Sequence, residues 1–94
     1  MKTIGLLPNP MKDPDFSLSK KISNYLHSLG AQLYTNELYH DMAPSNVTLL
    51  PVDEIYKQCD CVITLGGDGT LLRAAQSAAL ANTPLLGINC GKIG

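Results

Sequence analysis

A chain of 94 residues with a formal charge of −1, 5% aromatic residues and no Trp has room for one small domain. It offers neither the basic footprint nor the stacking side chains of a nucleic-acid binder. No uncharged span is long enough to cross a membrane, and "MKTIGLLP", cut short by Pro8, is too brief for a secretory signal. Cys59, Cys61 and Cys90 make no CxxC pair and no zinc spacing, so they read as small hydrophobes of a reducing cytoplasm, with Cys59 and Cys61 sharing one face or straddling the start of a strand.

In chain order, "TIGLLP" reads as a first strand stopped by Pro8-Asn9-Pro10. From Phe16 to Leu29 the apolar residues Leu18, Ile22, Tyr25, Leu26 and Leu29 recur at helical steps, with Asp15 or Ser17 as N-cap and Gly30 as the C′ residue. Ala31 to Thr35 forms a second short strand. Between Asn36 and Pro51 neither period persists, and the segment reads mostly as loop with a turn at Pro44-Ser45-Asn46. A short helix through Lys57, capped by Asp53, precedes the buried-type strand "CVITL", Cys61 to Leu65. A further helix runs from about Thr70 to Ala81, with Leu72, Ala75 and Ala79 along one stripe and Leu71, Ala74 and Ala78 beside it. So many alanines imply close approach to a sheet. Pro84 opens a last strand, "PLLGIN", which leads into a second glycine loop, Gly91 to Gly94.

Strand and helix alternate without a hairpin signal. The fold class is therefore α/β, a parallel, doubly wound, Rossmann-like sheet covered on both faces. Pro8-Asn9-Pro10, Gly66 to Thr70 and Gly91 to Gly94 all follow strands, and they share the carboxyl edge where such sheets bind ligands. A glycine loop after a central-type strand normally leads into another element. Residues 1 to 94 thus read as an N-terminal α/β nucleotide-binding domain, incomplete at Gly94, of a larger two-domain protein.

Gly66, Gly67 and Gly69 surround Asp68 where an apolar strand gives way to a helix. One glycine suffices for a tight turn, so a cluster implies a backbone that a ligand approaches closely, and a Cβ at Gly67 is expected to obstruct it or to force an unfavourable backbone angle. A strand–glycine–helix turn presents unpaired N–H groups and the positive end of a helix dipole, which suit phosphate. A carboxylate beside phosphate needs a task, namely a proton, a metal ion or a sugar hydroxyl. In phosphoryl transfer that task is to align the attacking hydroxyl. The loop has no Walker lysine and is not GxGxxG.

"GGDGTLLRAA", followed after a helix and strand by "GINCGKIG", resembles the NAD kinases. That resemblance covers residues 62 to 94 closely and the rest of the chain loosely. It implies phosphoryl transfer from ATP or polyphosphate to the 2′-hydroxyl of the adenosine ribose of NAD, giving NADP, with Mg²⁺ accompanying ATP. It further implies a cytoplasmic homo-oligomer, dimer or tetramer, and a C-terminal β-rich domain with a separate Asn-Glu motif, neither of which lies within these residues. Asp68 matches the family's proton acceptor, and Gly69 joins it on NAD. Gly66, Gly67, Thr70 and Leu72 complete the nucleotide-binding set, with Arg73 as the basic residue near the dinucleotide and Asn89 as a further candidate. Lys92 and Ile93 stand where the family often has His and Leu. Diacylglycerol-type lipid kinases carry a similar loop but continue with Asn-Glu, where this chain has Leu71-Leu72-Arg73. A lipid kinase and a non-catalytic nucleotide-binding module are the alternative readings.

The remaining polar candidates have plainer readings. His27 reads as a boundary residue, His40 with Asp41 as a polar loop, and Lys20 and Lys21 as a solvated helix face. Tyr34 and Tyr39 read as caps on a small core, or as adenine-stacking residues. Pro8-Asn9-Pro10 reads equally as a strand terminator and as a phosphate contact.

Overall fold

The computed structural model describes residues 2–90. Strands β1 (Thr3–Pro8), β2 (Gln32–Asn36), β3 (Val47–Leu50), β4 (Cys61–Gly66) and β5 (Leu85–Asn89) alternate with helices α1 (Ser17–Ser28), α2 (Val52–Gln58) and α3 (Asp68–Ala81). All strand pairs are parallel, and the order is β3-β2-β1-β4-β5. Chain direction through the sheet therefore reverses at the β1–β4 boundary. The expected α/β, doubly wound, Rossmann-like architecture is the one observed.

The period-2 alternation of each strand builds two cores. On one face Ile4, Leu6, Leu33, Ile63 and Leu65 pack with Leu18, Ile22 and Leu26 of α1. On the other, Val62 packs with Ile55, Tyr56 and Cys59 from the α2 segment and Ala78 of α3. Cys59 and Cys61 belong to opposite faces, so they straddle the strand start, and all three cysteines are free thiols. Burial, reinforced by Cys61 and Asp60 nearby, pushes the Cys59 thiol up to about 11. That marks it as a packing residue rather than a nucleophile.

Several elements depart from the sequence expectations. The cap of α1 is neither Asp15 nor Ser17. Asp13, 3% exposed, accepts hydrogen bonds from the N–H groups of Leu18 and Ser19, both at 2.9 Å, and from the Ser19 hydroxyl at 2.6 Å. A 3-10 turn at Pro14–Phe16 carries Asp15 and Phe16 in left-handed conformation. At Phe16 that backbone costs about 1 to 2 kcal/mol, and burying the ring, edge-on against Tyr39, returns about 2 to 3 kcal/mol. The local sequence favours a helix start, and ring burial shifts it. The segment read as loop holds β3 and a 3-10 turn, Glu37–Tyr39. "VTLL" is too short to show a period, and its pairing with β2 defines it. Asp53 lies inside α2, whose first residue follows Pro51, and makes no side-chain cap.

Helix α3 begins at Asp68, not Thr70. Of its alanines, Ala74 and Ala78 are the buried ones. The stripe of Leu72, Ala75 and Ala79 faces outward, and Leu71 lies over Gly87, where a Cβ would meet its Cδ1 at 2.5 Å. Gly30 takes the expected left-handed C′ geometry, with φ of 92°. The loop Gly91 to Gly94, with Lys92 and Ile93, lies outside the described residues.

Candidate active site

The connections from β1 and β4 leave adjacent strands toward opposite faces, α1 on one and α3 on the other. A crevice opens between two such loops at the carboxyl edge. On the β1 side Asn9 anchors the loop. Its N–H donates to the Leu65 carbonyl at 2.7 Å, and its carbonyl accepts from Lys12 and Asp13. Its side-chain oxygen accepts from the Met11 N–H at 2.9 Å. The strand-terminator reading of Pro8-Asn9-Pro10 thus acquires a mechanism. Across the crevice, the Asn9 amide donates to the Thr70 hydroxyl at 2.8 Å.

The β4 side is the glycine–aspartate loop. Gly67 is the N-cap of α3 and Asp68 its first residue. The first helical bond runs from the Leu71 N–H to the Gly67 carbonyl, so the N–H groups of Asp68, Gly69 and Thr70 have no partner within the helix. The three glycines differ. A Cβ on Gly66 would sit 2.6 Å from Thr70 Oγ1 and 2.7 Å from its Cβ, so packing inside the loop demands glycine there. Gly67 has φ of −97°, and a Cβ on it would meet only the Lys12 side chain at 3.6 Å. The expected unfavourable backbone angle is therefore absent. On Gly69 a Cβ would meet only Arg73 Nη1, at 3.6 Å. Two cations thus lean over the two glycines that the protein's own packing leaves open.

Asn89 ends β5 opposite Gly66. Its amide lies 3.4 Å from Asp68 Oδ1, and the two residues share a small hollow with Gly66, Gly67 and Ile88. On the other side of the loop a cavity of about 610 Å³ is lined by Asn9, Met11, Tyr39, Tyr56, Thr70 and Arg73, among others. That volume lies within the range of small-molecule sites. The structure therefore gathers Gly66, Gly67, Asp68, Gly69, Thr70, Arg73 and Asn89 at one edge. Leu72 lines neither space and is 64% exposed. Tyr39 reaches the cavity, whereas Tyr34 packs against the sheet core. His27 and the exposed His40–Asp41 pair lie outside both spaces.

Sequence reasoning passed over Lys12 and Tyr56. Lys12 lies in a loop without a motif, and Tyr56 sits on a short helix where it reads as core. Among the described residues no three His, Cys, Asp or Glu side chains gather as a metal site, and no helix is long and apolar enough to cross a membrane.

A glycine loop opening a helix at the switch point of a doubly wound parallel sheet, beside a cavity that Arg73 lines, defines the class as a doubly wound α/β domain with its crevice at the carboxyl edge. Comparison with known proteins narrows the class. The family model described as the ATP-NAD kinase N-terminal domain matches residues 4–94, and the chain belongs to that family. It is 37% identical over 94 residues to an NAD kinase of Caldanaerobacter subterraneus subsp. tengcongensis, covering 100% of this chain and 33% of the relative. To an NAD kinase of Ruminiclostridium cellulolyticum it is 37% identical over 98 residues, covering 100% of this chain and 32% of the relative. To one of Thermoanaerobacter sp. it is 33% identical, covering 100% and 33%. The chain thus spans about a third of the length of the curated relatives it matches.

Proposed function

We propose that the intact protein is an NAD kinase, transferring a phosphoryl group from ATP or polyphosphate to the 2′-hydroxyl of the adenosine ribose of NAD to give NADP. The carrying observation is Asp68. Its carboxylate stands at the start of α3, beside Asn89 and at the rim of the crevice, in a chain of the family whose relatives are named NAD kinases. In this reading Asp68 accepts the proton of the 2′-hydroxyl as its oxygen bonds to phosphorus, while the bond from phosphorus to the leaving phosphate oxygen breaks. The open N–H groups of Asp68, Gly69 and Thr70, with Arg73 and Lys12, oppose the negative charge on the phosphate chain. Leu72, exposed and outside both spaces, is retained as a nucleotide contact only through its place in the motif.

A Mg²⁺ ion is part of the proposal as a companion of ATP. We further propose that residues 1–94 are the N-terminal α/β domain of a cytoplasmic homo-oligomer, with the rest of the NAD site on a β-rich domain. Incubation of the intact protein with NAD, ATP and Mg²⁺ tests the reading. NADP formation is expected. A phosphorylated lipid without NADP would favour the lipid kinases, and nucleotide binding without transfer would favour a non-catalytic module.

A further inference from the structure

The Asn9–Thr70 bridge joins the two loops across the crevice, and its polarity carries chemical information. A side-chain amide N–H donates only, so at 2.8 Å the Thr70 oxygen is the acceptor. Among the described residues no acceptor takes the Thr70 hydroxyl proton, although Thr70 lines the cavity of about 610 Å³. Its bridge partner cannot take that proton, because the Asn9 side-chain oxygen is turned the other way, to the Met11 N–H at 2.9 Å. The Met11 N–H, which can only donate, fixes the amide orientation. Arg73 lines the same cavity.

We propose that Asn9 is a positioning residue that holds the Thr70 hydroxyl as a hydrogen-bond donor to a phosphate oxygen of a phosphate chain seated in this cavity. A phosphate oxygen is an acceptor, so a hydroxyl already supplied with a donor by Asn9 presents its proton to it. The inference rests on the nucleotide-binding reading of the site. The chain belongs either to the phosphoryl donor or to the pyrophosphate of NAD.

The test is equilibrium binding of ATP, inorganic polyphosphate and NAD, each titrated separately into the intact protein without turnover. Asn9→Asp preserves shape and the bond to the Met11 N–H but turns the bridging atom into an acceptor, which captures the Thr70 proton. Thr70→Val removes the hydroxyl at nearly constant volume, and Thr70→Ser restores it. Asn9→Asp and Thr70→Val are each expected to weaken one of the ligands by roughly ten- to a hundredfold, and Thr70→Ser by no more than about threefold. In the double variant the losses should fall well short of their product, because both remove the same bond. The ligand affected identifies the chain.

Losses that multiply in full would mean that the new carboxylate acts by charge alone, and would overturn the inference. Unchanged binding of all three ligands would overturn it too. So would equal weakening of all three with a lowered melting temperature, which is the signature of a merely structural bridge. NADP formation with unchanged binding in the variants refutes this inference and leaves the kinase reading standing. Coupled losses in a protein that makes no NADP do the reverse.

Discussion

The loop after β1 turns its polar groups inward, through Asn9 to Leu65, Met11 and Thr70 and through Asp13 to the start of α1. The loop after β4, its neighbour at the same edge, leaves three N–H groups at the start of α3 without a helical partner and keeps two glycines that no packing requires. One loop is a self-satisfied support, and the other has bonding capacity in reserve. In a small domain an unpaired group at a helix start has either water or a ligand for company. A loop of this kind beside such a support suits a binding site because the support, not the ligand, fixes where the donors stand.

That contrast makes graded predictions. Asp68→Asn should lower kcat for NADP formation by about a hundredfold or more, which is about 2.7 kcal/mol, with a smaller change in NAD affinity. Steady-state kinetics with NAD titration checks it, and near-normal kcat would demote Asp68 to a turn residue. Asp13→Ala should act on folding instead, costing about 2 kcal/mol in denaturant melts by uncapping α1.

Asp13 also predicts a pH dependence. Burial raises its pKa, but hydrogen bonds from the Ser19 hydroxyl, the N–H groups of Leu18 and Ser19, and Ser17 outweigh burial and hold it below the ordinary value. A depressed folded pKa stabilises the fold above the unfolded value. That contribution is lost as pH falls from about 4 toward the lowered value. Asp13→Asn should flatten this acid limb in melts recorded across that range.

Gly66→Ala should cost about 1 to 2 kcal/mol, because the new Cβ overlaps Thr70. Gly69→Ala sharpens the comparison most, since it leaves stability unchanged or raises it by up to about 1 kcal/mol while weakening nucleotide binding. Paired thermal melts and ATP or NAD titrations on the two variants check both. If Gly69→Ala binds normally, the open glycines are not kept for a ligand.

Much of this was legible from the sequence because it is local. The helical period of Leu18, Ile22 and Leu26, the apolar run of β4, the left-handed stop at Gly30 and the glycines around Asp68 depend on neighbours within a turn or two. Alternation of such elements leads directly to a parallel, doubly wound sheet. What the sequence left unreadable depends on residues far apart along the chain. β3 is a strand because it pairs with β2, and α1 starts where it does because Phe16 is buried and Asp13 folds back. Outward exposure of Leu72, Ala75 and Ala79 follows from α3 setting its Ala74 and Ala78 side on the sheet, which alanine content does not encode. The same holds at the site. Gly66, Gly67 and Gly69 are indistinguishable as letters, and only the position of Thr70 separates the one required by packing from the two left open. Residue types and short spacings determined which chemistry is present. Its division into a hollow at Asp68 and a cavity at Thr70, and the bridge from Asn9 to Thr70 across 61 positions of sequence, were decided by tertiary structure, because a side-chain hydrogen bond depends on distance in space and not on separation along the chain.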